Sequence, residues 1–201
     1  MSFIDRVNEC NNFQGDNFIP FVVEGKNVGL VGPSFIETLS HFKDIFDIDI
    51  KKITFNQNIQ TIAQRNNAIE KVIAQLLEQE FISYVMNKPY AVKDESGEVF
   101  FVIERSMVAY FGFRSFGQHI NGFVRKDNDL FLWVAKRAAD RMIFPGMLDN
   151  MVAGGLPYGL SLETNLQKEC YEEAAISAEL AATAAFVSAI TYNGMSSKGY
   201  K

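Results

Sequence analysis

The sequence has few of the residues that build disulfide frameworks, zinc sites and membrane spans. It contains two cysteines in 201 residues, Cys10 and Cys170, which are too few and too far apart to indicate such frameworks or sites. No apolar run approaches the roughly 20 residues that a membrane-spanning helix needs. The first residues, Met1–Arg6, carry charge early and contain no apolar secretion segment. We therefore expect a cytoplasmic protein with reduced thiols and no membrane partner.

An excess of positive charge is also missing. The chain has 19 Lys and Arg residues against 24 Asp and Glu, which gives a formal net charge of −5. Because affinity for a phosphate backbone requires a basic face, this balance argues against a nucleic-acid partner. The length of 201 residues suits one large domain or two small ones.

The N-terminal part has the patterns of a small mixed α/β domain. Two apolar runs, residues 19–23 and 28–31, flank Gly25-Lys26-Asn27 and predict a hairpin. A helix is expected to open at Pro33-Ser34, with four apolar residues on one face: Phe35, Leu39, Phe42 and Phe46. A second helix is expected from about Thr61 to Glu80.

Further strands follow. Residues 90–93 and 99–103 predict a second hairpin, and residues 119–124 and 130–135 predict a third. We place a domain boundary near Gly112–Gly117, which gives an N-terminal domain of residues 1–113 and a second domain of residues 114–201. The expected class is α/β (α+β).

An acidic helix is the most informative feature of the second domain. An irregular segment is expected before this helix, because it contains four residues that disfavour regular structure: Gly154, Gly155, Pro157 and Gly159. Ser161 is a suitable N-cap for the helix. Leu166, Cys170 and Ala174 predict the buried stripe, with acid on the other side. Glu169, Glu172 and Glu173 repel one another at this spacing. Either they form a solvated acidic face or they hold a hard divalent cation such as Mg²⁺.

The residues around these carboxylates resemble the Nudix box, whose pattern is G-x5-E-x7-R-E-U-x-E-E-x-G-U, where U is a bulky aliphatic residue. Aligned on Gly154, the chain matches the pattern at Glu169, Glu172, Glu173 and Ile176. It departs from the pattern at four positions: Leu160 replaces Glu, Lys168 replaces Arg, Cys170 replaces the first aliphatic residue and Ala175 replaces Gly.

Flanking sequence resembles one branch of that family, the Nudix proteins related to the N-terminal half of fungal thiamine pyrophosphokinase. The similarity extends over nearly the whole chain and lies in these stretches: Phe18–Phe21, Asn27–Gly29, Ile103–Arg105, Gly117–Val124, Leu132–Arg137 and Phe144–Gly155. The branch uses an aliphatic residue at the Leu160 position and Lys at the Lys168 position. It implies an N-terminal α/β domain upstream of a Nudix α/β/α sandwich with a mixed sheet.

The resemblance implies a Mg²⁺-dependent (or Mn²⁺-dependent) diphosphatase that hydrolyses a small-molecule diphosphate, most directly thiamine diphosphate or its damaged analogues. It assigns Glu169 and Glu173 as metal ligands, Glu172 as third ligand or general base, and Gly154 as a carbonyl ligand. Lys168 would orient the carboxylates. Phosphate-binding candidates are Lys136, Arg137 and Arg141, for which solvated surface charge is the alternative.

Two other functions stay open at this point: a Nudix enzyme for ADP-ribose or a dinucleotide, and a non-catalytic binding or assembly module. His119 is expected to be a hydrogen-bonded structural residue, and Trp133 a core residue. Residues 185–192 predict the next strand. The further strands and helix of the sandwich do not follow, so we expect either a C-terminally truncated domain or a homodimer in which a second subunit covers the sheet edge.

Overall fold

The computed structural model describes residues 2–15, 17–141 and 144–200. Its elements fall into two compact units. One unit contains the described residues up to Ser115 together with those from Ala189 onward, and the other is Phe116–Ser188. The predicted α/β (α+β) class is confirmed by the helices and sheets of these units, one of which has a mixed sheet. The expected domain boundary between residues 113 and 114 stays a prediction. The outer ends of the two predicted domains, residues 1 and 201, lie outside the described residues.

The first unit combines a mixed sheet, a hairpin and helices. Its elements are α1 (Phe3–Cys10), β1 (Ile19–Val23), β2 (Lys26–Val31), α2 (Pro33–Leu39), β3 (Phe46–Ile48), β4 (Ile53–Phe55), α3 (Ile62–Glu78), β5 (Pro89–Lys93) and β6 (Val99–Glu104). The first sheet has the order β2-β1-β4-β3, with β1 and β4 parallel and the other neighbours antiparallel. The β5–β6 hairpin packs against α3. Both hairpins predicted for this part of the chain are therefore confirmed.

Aromatic rings fill the core of the first unit. Phe21 is fully buried and meets the ring edges of Phe55 and Phe113, with centroids 5.4 and 5.3 Å away. Each such pair contributes about 0.5–1.5 kcal/mol beyond the area that it buries. These rings are therefore part of the core of the unit.

The helix predicted from Pro33 is shorter than its apolar pattern. It ends at Leu39, because the Ser40 hydroxyl donates to the carbonyl oxygen of Glu37 at 2.7 Å and so competes with the helical backbone. Phe42 follows in a turn, and Phe46 lies in β3, paired with Phe55. Both aromatic residues are still buried, but the prediction that they extend one helix was wrong.

The second unit is built from short antiparallel pairs and two helices. Its elements are β7 (Gly117–Ile120), β8 (Phe123–Lys126), β9 (Asp129–Leu132), β10 (Val134–Lys136), β11 (Leu148–Asn150), β12 (Val152–Gly155), α4 (Leu162–Ala174) and α5 (Ala178–Ala181). The pairs are β7–β12, β8–β9 and β10–β11. The predicted third hairpin is corrected, because Asn121-Gly122 ends β7 and only β8 pairs with β9. Instead, β7 pairs with the segment that carries Gly154 and Gly155.

Two further expectations were wrong. Gly154 and Gly155 lie in strand β12 rather than in an irregular approach, because a strand tolerates glycine where another group comes close to its backbone. Residues 185–192 form no strand, because no neighbouring segment in the described part of the chain pairs with them. The chain instead ends, within the first unit, in β13 (Met195–Ser196) and β14 (Gly199–Tyr200). Among the described residues, no helix combines the length and the apolar character that crossing a bilayer requires.

Candidate active site

Helix α4 carries the acidic side chains, and its start follows from the sequence. Ser161 has extended backbone angles, and its hydroxyl accepts a hydrogen bond from the backbone N–H of Thr164 at 3.0 Å. This bond satisfies one of the free donors of the first turn, and Glu163 in that turn faces the positive end of the helix dipole. The predicted N-cap is confirmed.

The end of α4 shows what one departure from the Nudix pattern costs. The helix stops at Ala175, whose φ of 53° lies in the left-handed region. The family pattern has glycine here, which adopts this conformation without cost, whereas another L-residue pays about 1–2 kcal/mol. The replacement by alanine thus keeps the turn at the expense of backbone strain.

Successive turns of α4 lie against successive residues of β12. Asn165 donates from its side-chain nitrogen to the carbonyl oxygen of Gly155 at 3.2 Å. Two turns later, Glu173 accepts from the backbone N–H of Ala153 at 2.9 Å. Between these contacts, the Glu169 carboxyl group lies where a Cβ at position 154 would stand. Helix and strand are therefore joined at three levels, and glycine at 154 makes the central one sterically feasible.

The burial of Glu169 corrects the predicted faces of α4. Glu169 is only 5% exposed, and Asn165 is fully buried on the same stripe. Cys170 is buried as expected, and burial raises the pKa of its thiol. Ala174, placed on the buried stripe in the prediction, is exposed. Apolar spacing alone misplaced the buried side, because Asn165 and Glu169 pack against the glycine-rich strand β12.

Lys168 joins two of the three carboxylates. Its ammonium group donates to Glu172 at 2.6 Å and to Glu169 at 3.3 Å. The bond to Glu172, followed by the attraction of Glu169, raises the pKa of Lys168 above its usual value, against the effect of partial burial. Lys168 therefore supplies the positive charge that offsets the repulsion within the acidic stripe.

The donor set suits a hard cation, although the side chains are not arranged as a ligand cage. In the described part of the chain, no group of three or more His, Cys, Asp or Glu side chains is placed to hold a metal ion. Glu169 and Glu172 instead share the Lys168 ammonium, while Glu173 bonds to the strand. Carboxylate oxygens are the ligands that Mg²⁺ prefers, so the residues fit the ion in chemistry. The ligand roles of Glu169, Glu172, Glu173 and Gly154 stay predictions.

The basic candidates lie outside α4, apart from Lys168. Arg137 donates to Asp149 at 2.8 Å and to the carbonyl oxygen of Phe144 at 3.0 Å. Burial opposes ionisation of Asp149, but the Arg137 contact and a backbone N–H outweigh it and lower the pKa of Asp149. Lys136, at the end of β10, and Arg141 are exposed. Their roles in phosphate binding are not tested by these contacts.

Two other candidates from the sequence, His119 and Trp133, differ in their surroundings. The side-chain oxygen of Asn150 accepts a hydrogen bond from His119 Nδ1 at 2.9 Å, and its side-chain nitrogen donates to Asn121 at 2.6 Å. A hydrogen-bonded His119 agrees with the expectation, and Asn150 lies in a strand. Trp133 is 62% exposed, so its predicted core position was wrong: it follows β9 directly, in a stretch whose side chains are largely exposed.

Sequence reasoning missed two residues of this region, Asn165 and Gln118. Asn165 donates to the Gln118 side-chain oxygen at 2.8 Å, and Gln118 donates to the carbonyl oxygen of Leu162 at 2.9 Å. The available signal was the four-residue spacing of Asn165, Glu169 and Glu173, which places three polar residues on one stripe.

Comparison with known proteins assigns the chain to a family and finds similar proteins. A domain of unknown function, DUF4743, matches residues 2–115. The chain is 39% identical over 202 residues to "Nudix hydrolase 20, chloroplastic" of Arabidopsis thaliana, covering 94% of this chain and 54% of that protein. It is 38% identical over 195 residues to "Nudix hydrolase 24, chloroplastic" of the same plant, covering 94% and 53%.

A third relative is an uncharacterised protein of Saccharomyces cerevisiae, 30% identical over 138 residues, which are 66% of this chain and 40% of that protein. The chain spans about half the length of the Arabidopsis relatives that it matches. The matches to both plant proteins nevertheless extend over most of the chain, including the region of α4 and β12. The chain therefore belongs to the DUF4743 family, and over most of its length it is similar to two plant Nudix hydrolases.

Proposed function

We propose that this chain carries the divalent-metal centre of a Nudix diphosphatase, with Mg²⁺ as the ion and Mn²⁺ as its substitute. The observation that carries the proposal is the position of the Glu169 carboxyl group, which packs against Gly154 between two hydrogen-bonded contacts of α4 with β12. A buried carboxylate is costly unless it is paired, and here Lys168 pairs it. An acidic helix face that was merely solvated would not bury Glu169.

The three glutamates receive different roles from their surroundings. Glu169 and Glu173 are the proposed ligands, because the strand holds both, and the carbonyl oxygen of Gly154 is a further oxygen on the same strand. Such an ion, when bound, neutralises diphosphate oxygens and makes water more acidic. Lys168 contacts the carboxylates of both Glu169 and Glu172 and so holds them near each other.

Glu172 is the proposed general base. Its side chain is half exposed, so water reaches it, whereas Glu169 is buried. In the proposed reaction, water attacks phosphorus and its proton passes to the Glu172 carboxylate. The bridging P–O bond then breaks and releases the monophosphate and inorganic phosphate. General acid–base groups of this kind contribute about 10²–10⁴-fold to the rate.

The diphosphate itself needs positive charge. Lys136 and Arg141 are exposed cations, and Arg137 is fixed by Asp149 in the same unit. Arginine binds phosphate oxygens in a bidentate way, so Arg137 and Arg141 are the stronger candidates. Lys168 is engaged by carboxylates and is proposed to orient them rather than to bind substrate.

The proposed substrate class is thiamine diphosphate or an oxidised analogue. This step is supported by the resemblance of the chain to the branch related to fungal thiamine pyrophosphokinase. The plant relatives, as their names state, are Nudix hydrolases. ADP-ribose is the competing substrate, and its hydrolysis would give two monophosphates and no free phosphate.

The test is product analysis with oxothiamine diphosphate, thiamine diphosphate and ADP-ribose, each with Mg²⁺ and with a chelator. Both inorganic phosphate and organic monophosphates are measured. Metal-dependent cleavage of a thiamine compound supports the proposal, and cleavage of ADP-ribose alone assigns the competing substrate. No metal-dependent product from any compound overturns the enzyme assignment in favour of a binding module. Glu163→Gln, an exposed glutamate of the first turn, is the matched control variant.

A further inference from the structure

A buried amide stands at the first of the three contacts between α4 and β12. Asn165 is fully buried and donates from one nitrogen to both Gln118 and the carbonyl oxygen of Gly155. Gln118 passes the connection back to α4 through the carbonyl oxygen of Leu162. These bonds link α4 to both strands of the β7–β12 pair. We call Asn165 and Gln118 the amide clamp.

The clamp comes with an energetic cost that simple packing would avoid. The side-chain oxygen of Asn165 is buried without a hydrogen-bond partner in the described part of the chain. Such a group costs about 1–3 kcal/mol, whereas an apolar residue of the same shape avoids that cost. The directional bonds of Asn165 thus do something that a buried leucine could not do: they fix how α4 is rotated and shifted along β12.

The consequence reaches the carboxylates. Glu169 and Glu173 follow Asn165 by one and two turns on the same stripe, so a rotation or shift of α4 at Asn165 moves both. Glu169 has little room for such a shift, because its carboxyl group already fills the space above Gly154. The bond from Ala153 to Glu173 depends on the same alignment.

We propose that Asn165 is a positioning residue: through the amide clamp it sets the register of α4 on β12 and so places Glu169 and Glu173 for a divalent cation. The part that concerns the cation rests on the proposed function. Residues that orient metal ligands typically change metal affinity about 10–100-fold when they are replaced.

The test uses Asn165→Leu, which keeps the branching of the side chain and removes both bonds, with Cys170→Ala as the matched control. Cys170 is equally buried on α4 but makes no contact in the clamp, so its variant reports general destabilisation. Two quantities are measured in each protein: hydrogen exchange of the Ala153 amide without metal, and the midpoint of Mn²⁺ binding by electron paramagnetic resonance.

We expect Asn165→Leu to lose protection at the Ala153 amide and to raise the Mn²⁺ midpoint by about 10-fold or more, while Cys170→Ala keeps both near the wild-type values. Unchanged Ala153 exchange in Asn165→Leu, or equal changes in the control, would overturn the proposal. If the wild type binds no Mn²⁺ but Ala153 protection is lost, the register role stands and the metal assignment fails. Gln118→Leu should give smaller changes of the same sign. It replaces Asn165→Leu in the test if that variant does not fold.

Discussion

Glu169 lies against Gly154 so closely that a methyl group at position 154 would overlap its carboxyl group. Gly154 has no left-handed φ, so its role comes from space rather than from backbone freedom. The contact stands midway between two hydrogen-bonded contacts of α4 with β12. Helix, strand and carboxylate are therefore set as one unit, and changes at any of the three should be felt by the others.

Gly154→Ala should destabilise the second unit by about 1–3 kcal/mol, as overpacking usually does. The added methyl group forces Glu169 off the strand. Urea unfolding measures the change. In a Glu169→Ala background the overlap is gone, so the same substitution should cost much less. Equal costs in both backgrounds would show that the contact with Glu169 is not responsible.

Ala175→Gly should stabilise the chain by about 1 kcal/mol. Ala175 has a left-handed backbone, which glycine adopts without the steric penalty that alanine pays. Denaturant midpoints measure the effect. The matched control is Ala174→Gly, one residue earlier within α4, which should destabilise by about 0.5–1 kcal/mol. A loss of stability in Ala175→Gly would contradict the assigned conformation.

Lys168→Met should lower stability at neutral pH by about 0.3–1 kcal/mol, because the pair with Glu172 is partly exposed. The folded-state pKa of Lys168 lies above its ordinary value of 10.5. The stabilisation is therefore fully present below that value and is lost as pH rises through the folded-state pKa.

Unfolding of the wild type and of Lys168→Met is compared at pH 8 and at about pH 11, where lysine begins to lose its proton. The difference should shrink at the higher pH. Lys168→Arg, which keeps the charge and restores the residue of the Nudix pattern, should behave like the wild type at pH 8. A difference independent of pH would assign the effect to packing instead.

Glu172→Gln should lower turnover about 10²–10⁴-fold, because the proposed general base is lost. The chain should still fold, since one of three mutually repelling charges is removed. Steady-state product formation and thermal unfolding are measured on the same preparation. Glu163→Gln should keep wild-type turnover. Unchanged turnover in Glu172→Gln would end its assignment as base.

Local signals were sufficient for some elements of the site but not for others. The start of α4 was predictable because Ser161 and the periodic residues after it act within the helix itself. Strand β12 was not predictable, because glycine does not favour a strand by itself. The segment that contains Gly154 forms a strand through its pairing with β7. The burial of Glu169 was missed because it depends on how α4 packs against β12, which the pattern of the helix alone does not show.

The errors elsewhere have a similar origin. Phe46 continued the apolar spacing of α2, yet pairing with Phe55 places it in a strand. Residues 185–192 have strand composition but no paired neighbour in the described part of the chain. Composition and periodicity indicate what a segment can form, whereas the partner that it meets decides what it does form.

The most direct test of the metal centre is thermal unfolding of the wild type and of Glu169→Gln, each with saturating Mg²⁺ and with a chelator. A ligand that binds only the folded state raises the melting temperature. We expect Mg²⁺ to raise the wild-type melting temperature by several degrees and to have little effect on Glu169→Gln. Superimposable wild-type curves with Mg²⁺ and with chelator would contradict a cation site on α4.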